Sequence, residues 1–280
     1  MEPPAMADTT SARVLPRFPG QVETWRADGQ PGQDTGIPGV VLICEHAANA
    51  LPVDWPELGG DLGLDAKTRT THAAYDIGAL GLSRGLAKRL APCCGGAVLI
   101  HAPLSRLAYD LNRPADHPGA MPATSEAYDV PGNHTLSEVD RLARLEAIYL
   151  PFHATAAAEI GKLVTRGRRP VVIAVHSFTP VYFDQKRDVE FGILFDDDDD
   201  IALEILRASE GCGLITRLNE PYSAQSDVAH TTRVQAGPLR LRHSMLEIRN
   251  DLIADTDAQE AMAARLAPVL ADALKRAGIL

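Results

Sequence analysis

Cysteine is scarce: Cys44, Cys93, Cys94 and Cys212 are the only four in 280 residues. They are too few and too dispersed for a disulfide framework, and the adjacent pair Cys93-Cys94 lacks the two-residue spacer of a redox or zinc-ribbon motif. A reducing, cytoplasmic compartment is therefore expected. No run approaches about eighteen apolar residues, which excludes an evident transmembrane helix and leaves no reason to expect a membrane partner. A basic excess is also missing. Lys and Arg total 27 against 37 Asp and Glu, a formal charge of -10. Nucleic-acid binders normally show a basic face, so no nucleic-acid partner is expected. There is no internal repeat, and residues 1 to about 17 carry no apolar run of the signal-peptide kind. Local charge is concentrated twice, in the acidic run from Asp196 to Asp200 and in Arg166, Arg168 and Arg169. Each reads as a solvated turn.

What is present is an ordinary globular composition, 45% hydrophobic and 23% charged, long enough for one sizeable core. Residues 1–38, rich in Pro and Gly, read as a flexible tail and irregular lead-in. Residues 39–280 read as a single α/β domain. Val40-Val41-Leu42-Ile43-Cys44 is a short β-branched run bounded by Gly and Pro, the pattern of a strand buried on both faces. Similar runs at 97–100, 170–175 and 189–195 predict further strands, with shorter ones at 212–216 and 240–248. Ile77, Leu80, Leu82, Leu86 and Leu90 fit a helical spacing over residues 75 to about 90, stopped by Pro92 and Gly95-Gly96. The Pro-rich stretch 103–133 has little periodicity, and a loop of that length in a compact domain is usually functional or disordered. Thr135 and Glu138 have capping-box spacing and open a helical pattern toward residue 163, interrupted near Pro151. Helices are also predicted at 201–208 and from Asp257 to about residue 277. Strands alternating with helices predict an α/β fold with a largely parallel sheet covered on both faces.

In open α/β sheets, ligands bind beyond the carboxyl ends of the strands. The residues following each predicted strand are Glu45-His46, then His101 with Ser105-Arg106, then His176-Ser177. Glu247 stands near the end of the last strand, with Arg249-Asn250-Asp251 after it. Two histidines, an acid and arginines converging on one edge are the parts of a metallohydrolase. A catalytic zinc takes about three His or carboxylate ligands and keeps a position open for water. A separate carboxylate shuttles protons, and the planar fork of arginine suits a substrate carboxylate. His46 and His176, each ending a buried strand, are the ligand candidates. Glu45 is weaker, because neighbours on a strand point to opposite faces. Each remaining candidate has a plain structural alternative: a helix cap for Asp76, a salt bridge to Arg249, Arg242 or Arg106 for Glu247, a loop arginine for Arg113. Ser177 lacks a Gly-x-Ser-x-Gly elbow, so a serine nucleophile is not supported.

Seven segments then appear in order. They are His46-Ala47-Ala48-Asn49-Ala50-Leu51-Pro52, Asp76-Ile77-Gly78-Ala79, Ser105-Arg106-Leu107 with Asp110-Leu111-Asn112-Arg113, and Tyr149-Leu150-Pro151-Phe152-His153. After them come His176-Ser177-Phe178-Thr179-Pro180, Asn219-Glu220-Pro221-Tyr222-Ser223 and Leu246-Glu247-Ile248-Arg249-Asn250-Asp251-Leu252. This ordered set resembles the N-formylglutamate amidohydrolase family over roughly residues 40 to 275. The resemblance implies a three-layer α/β/α sandwich around a mostly parallel mixed sheet, of the zinc-peptidase (phosphorylase/hydrolase-like) type. It also implies one Zn2+ ion, or another divalent metal in its place, and hydrolysis of an N-formyl amino acid late in histidine degradation. Carried onto this chain, it makes His46 and His176 metal ligands, Glu247 the general acid/base, and Asn112-Arg113 the clamp on a substrate carboxylate.

One position departs from the related zinc peptidases and deacylases, which use a His-x-x-Glu pair. The residue three after His46 is Asn49, a poor zinc ligand, so the third ligand is assigned to Asp76. Arg106, Arg249 and His153 are candidate substrate-binding residues, and His72 a candidate pocket residue. The expected partner is a small acidic N-acyl amino acid; the oligomeric state is open. Two rivals remain at this level: a metal-dependent deacylase or carboxypeptidase-like hydrolase of another N-acyl amino acid, and a non-catalytic small-molecule-binding relative.

Overall fold

The computed structural model describes residues 14–32, 37, 39–196, 199–222 and 228–280. Its centre is a seven-stranded sheet. In chain order the strands of that sheet are β1 (Gln21–Trp25), β2 (Val40–Cys44), β3 (Ala97–His101), β6 (Val171–Phe178), β9 (Phe191–Leu194), β10 (Thr216–Leu218) and β11 (His243–Arg249). Two small hairpins stand outside it, β4–β5 (Thr124–Ser125 with Tyr128–Asp129) and β7–β8 (Val181–Tyr182 with Gln185–Lys186). The strand order is β1-β3-β2-β6-β11-β9-β10. The four central strands β3, β2, β6 and β11 are mutually parallel, and β1 and the β9–β10 pair run antiparallel to them.

Helix α1 (Ala79–Cys94) and helices α4 (Asp200–Ala208) and α6 (Thr256–Arg276) cover one face. Leu82, Leu86 and Leu90 of α1 and Leu266, Leu270 and Leu274 of α6 recur every four residues and are buried there. The other face is covered by α3 (Leu150–Thr165), by α5 (His230–Ala236) and by the 103–133 stretch, whose Leu104, Leu107, Tyr109 and Leu111 are buried. Helix layers on both faces of a mostly parallel mixed sheet make the three-layer α/β/α sandwich that the sequence predicts. No described helix is long and apolar enough to cross a membrane.

The structure corrects the sequence reading in several places. The lead-in contains β1, which pairs antiparallel with β3 from Gln21↔His101 to Trp25↔Ala97. Its polar sequence suits an edge strand, held by main-chain bonds with only Trp25 buried, so no apolar pattern announces it. Of the tail and lead-in expected over residues 1–38, residues 1–13, 33–36 and 38 lie outside the described residues. Helix α1 begins at Ala79 because Gly78 holds a left-handed φ of 81°, and a Cβ there would lie 2.1 Å from the Ile253 carbonyl oxygen. The helix runs through Pro92 and stops at left-handed Gly95. The capping box forms at Ser137 and Asp140, opening α2 (Glu138–Arg144), and not at Thr135. The interruption expected near Pro151 is a π segment, Leu145–Tyr149, after which α3 starts with proline in its first turn. The strand expected at 212–216 forms at Thr216–Leu218. Helix α5 was invisible because its buried side chains are mostly polar: His230, Thr231, Thr232 and Gln235.

The two charge clusters are not simply solvated. Arg168 donates to the Cys94 carbonyl and Arg169 to those of Leu239 and Arg240. Cys94 ends α1, so its carbonyl lacks a helical partner and lies at the negative pole of the helix. Asp196 pairs with Arg233 and His243, and Asp200 lies 3.6 Å from Arg242. All four cysteines are free.

Candidate active site

The carboxyl ends of β2, β6 and β11 lie side by side, with Glu247 in register with His176. They open into a cavity of about 320 Å³ whose lining includes His46, Asp76, Arg106, Asp110, Asn112, Arg113, His176 and Glu247. The predicted residues reach it from separate parts of the chain. His46 follows β2, Asp76 lies just before α1, and Arg106 to Arg113 come from the long stretch after β3.

His46, Asp76 and His176 are buried, and one ligand atom from each lies within 4.8 Å of the others. Asp76 Oδ2 is 2.8 Å from His176 Nδ1 and 3.4 Å from His46 Nδ1. The other ring nitrogens face further carboxylates: His46 Nε2 is 2.7 Å from Asp110 Oδ1, and His176 Nε2 is 3.0 Å from Glu45 Oε2. For His46, an Nε2–H donating to Asp110 leaves the Nδ1 lone pair facing Asp76. His176 Nε2 and Glu45 lie in ion-pair range without a hydrogen bond, and His176 Nδ1 is hydrogen-bonded to Asp76. Asp76 is not a helix cap, since the cap position is Gly78 and Asp76 Oδ2 accepts from Ser177 N. Burial opposes its ionisation, but His46 and His176 outweigh that and hold its carboxyl well below the usual range. Burial likewise opposes charge on His176, yet Glu45 and Asp76 push its pKa well up. Asp110, penalised by burial, is held low by Arg106 and His46.

These residues fit a metal ion. His46 Nδ1 is buried without a hydrogen-bond partner. Around it, Glu45, Asp76 and Asp110 put three buried carboxylates beside one guanidinium and two imidazoles. A cation at the Nδ1–Asp76–Nδ1 junction would satisfy both the orphaned nitrogen and the charge. Asn49 is elsewhere, its amide donating to the Arg69 carbonyl.

Glu247 is buried and its Oε2 has no hydrogen-bond partner. Burial raises its pKa to about 7. None of the salt bridges considered for it forms. Arg106 binds Asp76 and Asp110, Arg242 lies by Asp200, and Arg249 binds Asp251. Gly192, opposite Glu247 in the sheet, allows the Glu220 carbonyl to approach, since a Cβ there would sit 2.0 Å from that oxygen.

The substrate-binding candidates divide. Arg106 and Arg113 line the cavity, and Arg113 Nη1 donates to the Asn112 carbonyl. Asn112 also lines it, but its amide is engaged: Nδ2 donates to the Val228 carbonyl and Oδ1 accepts from Thr231 N. It braces the start of α5. Arg249 and His153 are absent from the lining. Arg249 lies near Glu190, Asp251 and the carbonyl of Arg187, tying the end of β11 to the loop before β9. His153 is sandwiched between the Leu111 carbonyl on Nε2 and Gln235 on Nδ1, and burial lowers its pKa to about 4, so it is a neutral packing residue. His101 faces Glu23 of β1.

Several pocket residues were not given roles by the sequence. Asp110 orients His46; the sequence placed it in the Asp110-Leu111-Asn112-Arg113 segment without giving it a role. Glu126 joins three segments, pairing with His72 at 2.6 Å and accepting from Phe183 N. Phe178, Tyr182 and Tyr222 form an aromatic wall. Phe178 and Tyr222 lie in segments that carry the family resemblance, whereas Tyr182 and Glu126 lie in none.

The mostly parallel α/β sheet thus carries two imidazoles and a carboxylate that could hold a metal ion, beside a buried glutamate whose Oε2 has no partner. The family model for N-formylglutamate amidohydrolase matches residues 39–254, and the chain belongs to that family. It is similar to the crystal structure of gene product Atu2144 from Agrobacterium tumefaciens, with 40% identity, TM-score 0.82, and coverage of 93% of this chain and 96% of that one. The fold is shared with N-formylglutamate amidohydrolase from Ralstonia eutropha JMP134, at 16% identity, TM-score 0.62, and coverage of 93% and 97%. No curated protein sequence matches the chain significantly.

Proposed function

We propose that the protein hydrolyses the N-acyl bond of a small acidic amino acid, with N-formyl-L-glutamate as the leading substrate. The observation that carries this reading is the buried His46–Asp76–His176 donor set beside the unpartnered carboxylate of Glu247 in one cavity. The family and the similar N-formylglutamate amidohydrolase structure support it.

His46, Asp76 and His176 would hold the metal, for which zinc suits the donor set. When bound, such an ion lowers the pKa of water and polarises a carbonyl. Asp110 keeps the His46 imidazole turned toward it, and Glu45 lies 3.0 Å from His176 Nε2. Glu247 accepts a proton from the water that adds to the acyl carbon. It then returns that proton to the nitrogen as the C–N bond breaks, releasing formate and the free amino acid. Arg113, with Arg106 beside it, holds a substrate carboxylate and sets the amide against Glu247. Free thiols throughout suit a cytoplasmic site of action, and the step would be the formate-releasing reaction of histidine degradation.

Steady-state hydrolysis of N-formyl-L-glutamate by zinc-loaded protein, against a chelated control, tests the reading. Metal-dependent release of formate and glutamate is expected. Bound zinc without turnover would remove the named substrate and point to acetyl or succinyl amides. Arg113→Ala is expected to raise KM for acidic amides by roughly tenfold to a hundredfold, with little change for neutral ones. Equal loss on both classes would count against the clamp.

A further inference from the structure

Arg187 takes no part in the mechanism above, and it does not line the cavity. It follows β8 and reaches back behind the aromatic wall. Its guanidinium carbon lies 4.4 Å from the Tyr182 ring centroid, 4.8 Å from Tyr222 and 5.7 Å from Phe178. All three rings line the cavity. They come from three segments: the end of β6, strand β7, and the turn after β10. One side chain therefore organises a wall assembled from distant stretches of sequence. Among the described residues no carboxylate pairs with it. Its partners are the rings, the hydroxyl of Tyr222 at 3.0 Å from Nη1, and the Thr179 carbonyl at 3.5 Å.

The direction of the Tyr222 contact is fixed by chemistry. A guanidinium has only donors, so the phenol oxygen accepts and its own hydrogen must point elsewhere. Tyr222 shares the cavity lining with Glu247 and Arg106. Burial raises its pKa to about 12, which keeps the hydroxyl a donor at neutral pH. Arginine is also the cation best suited to this place, because its flat face stacks on rings while its edge donates.

We propose that Arg187 is a positioning residue that holds the Tyr222 phenol with its hydrogen turned into the cavity, where it donates to an oxygen of the bound acyl amino acid. This rests on the hydrolase reading above. The rival role is purely structural. Arg187 also fastens the β7–β8 hairpin through its main chain, its N–H donating to the Pro180 carbonyl and its own carbonyl accepting from Arg249.

A mutant cycle on N-formyl-L-glutamate hydrolysis separates the two, using wild type, Arg187→Met, Tyr222→Phe and the double variant. Arg187→Met is expected to lower kcat/KM roughly tenfold to a hundredfold, and Arg187→Lys to recover part of that loss. In the Tyr222→Phe background the same change should cost less than about threefold, because the shared contact is already gone. Equal losses in both backgrounds would overturn the proposal. A readout without turnover accompanies the cycle: fluorine NMR of protein labelled with 3-fluorotyrosine, the Tyr222 signal among six assigned by Tyr222→Phe. Arg187→Met should move or broaden that signal. An unmoved signal overturns the proposal even if Arg187→Met proves too unstable to assay, since Arg187→Lys is read the same way. Wild-type protein that leaves N-formyl-L-glutamate untouched would overturn the substrate reading instead. The cycle then runs on whichever amide is hydrolysed, and the same criteria decide the role of Arg187.

Discussion

Replacement of Glu247 by glutamine is expected to lower kcat by roughly a thousandfold while the metal content stays that of the wild type. The two side chains have nearly the same shape, so the packing of β11 against β6 and β9 survives. What disappears is the proton acceptor. Metal content survives because Glu247 is not part of the His46–Asp76–His176 group. Stability should not fall either, since burying a neutral amide costs less than burying a carboxylate whose Oε2 has no partner. Three measurements check this: kcat and KM for the best amide, metal by elemental analysis, and thermal unfolding. A variant with near-normal kcat would remove Glu247 from the mechanism. A variant that had lost its metal would make Glu247 a ligand and not a base.

Asp76→Asn should have a comparable effect on turnover by the opposite route, with metal affinity lowered about a hundredfold or more. Asp76 Oδ2 faces both ring nitrogens, and a neutral amide oxygen offers a metal far less charge. The substitution also leaves Arg106 without one of its two carboxylates, although Asp110 remains at 2.6 Å. Loss of metal with retained secondary structure is the expected result. Stoichiometric, tightly held metal in Asp76→Asn would mean that the third ligand lies elsewhere, with Glu45 and Asp110 the nearest carboxylates to consider.

Those two variants test residues legible in the sequence for different reasons. His46, His176 and Glu247 could be read because buried β-branched runs mark central strands, and strand ends are where such sheets place chemistry. Glu247 was also conspicuous as an acid between Leu246 and Ile248. Asp76 came from the family resemblance, once Asn49 proved a poor ligand. The shell around them was not legible. Asp110 reaches His46, Glu126 reaches His72 and Tyr222 reaches Arg187 through contacts 35 or more residues distant in sequence. A local pattern cannot carry that information. His153 and Arg249 show the converse: both lie in segments that carry the resemblance, yet neither lines the cavity, one packing α3 against the 103–133 stretch and the other tying the end of β11 to the loop before β9. The same division holds for the fold. The apolar central strands and α1 were visible, whereas β1 and α5, built mostly from polar residues, were not.

The cavity joins two kinds of structure. Its floor stands on β2, β6 and β11 in the middle of the seven-stranded sheet, while its mouth is bordered by the β4–β5 and β7–β8 hairpins, each paired only with itself. Changing the floor disturbs a ladder shared by neighbours on both sides. Changing a hairpin disturbs a few side-chain latches, such as those made by Glu126 and Arg187. The hairpins are therefore the part of the cavity lining whose sequence can change with the least disturbance to the sheet beneath.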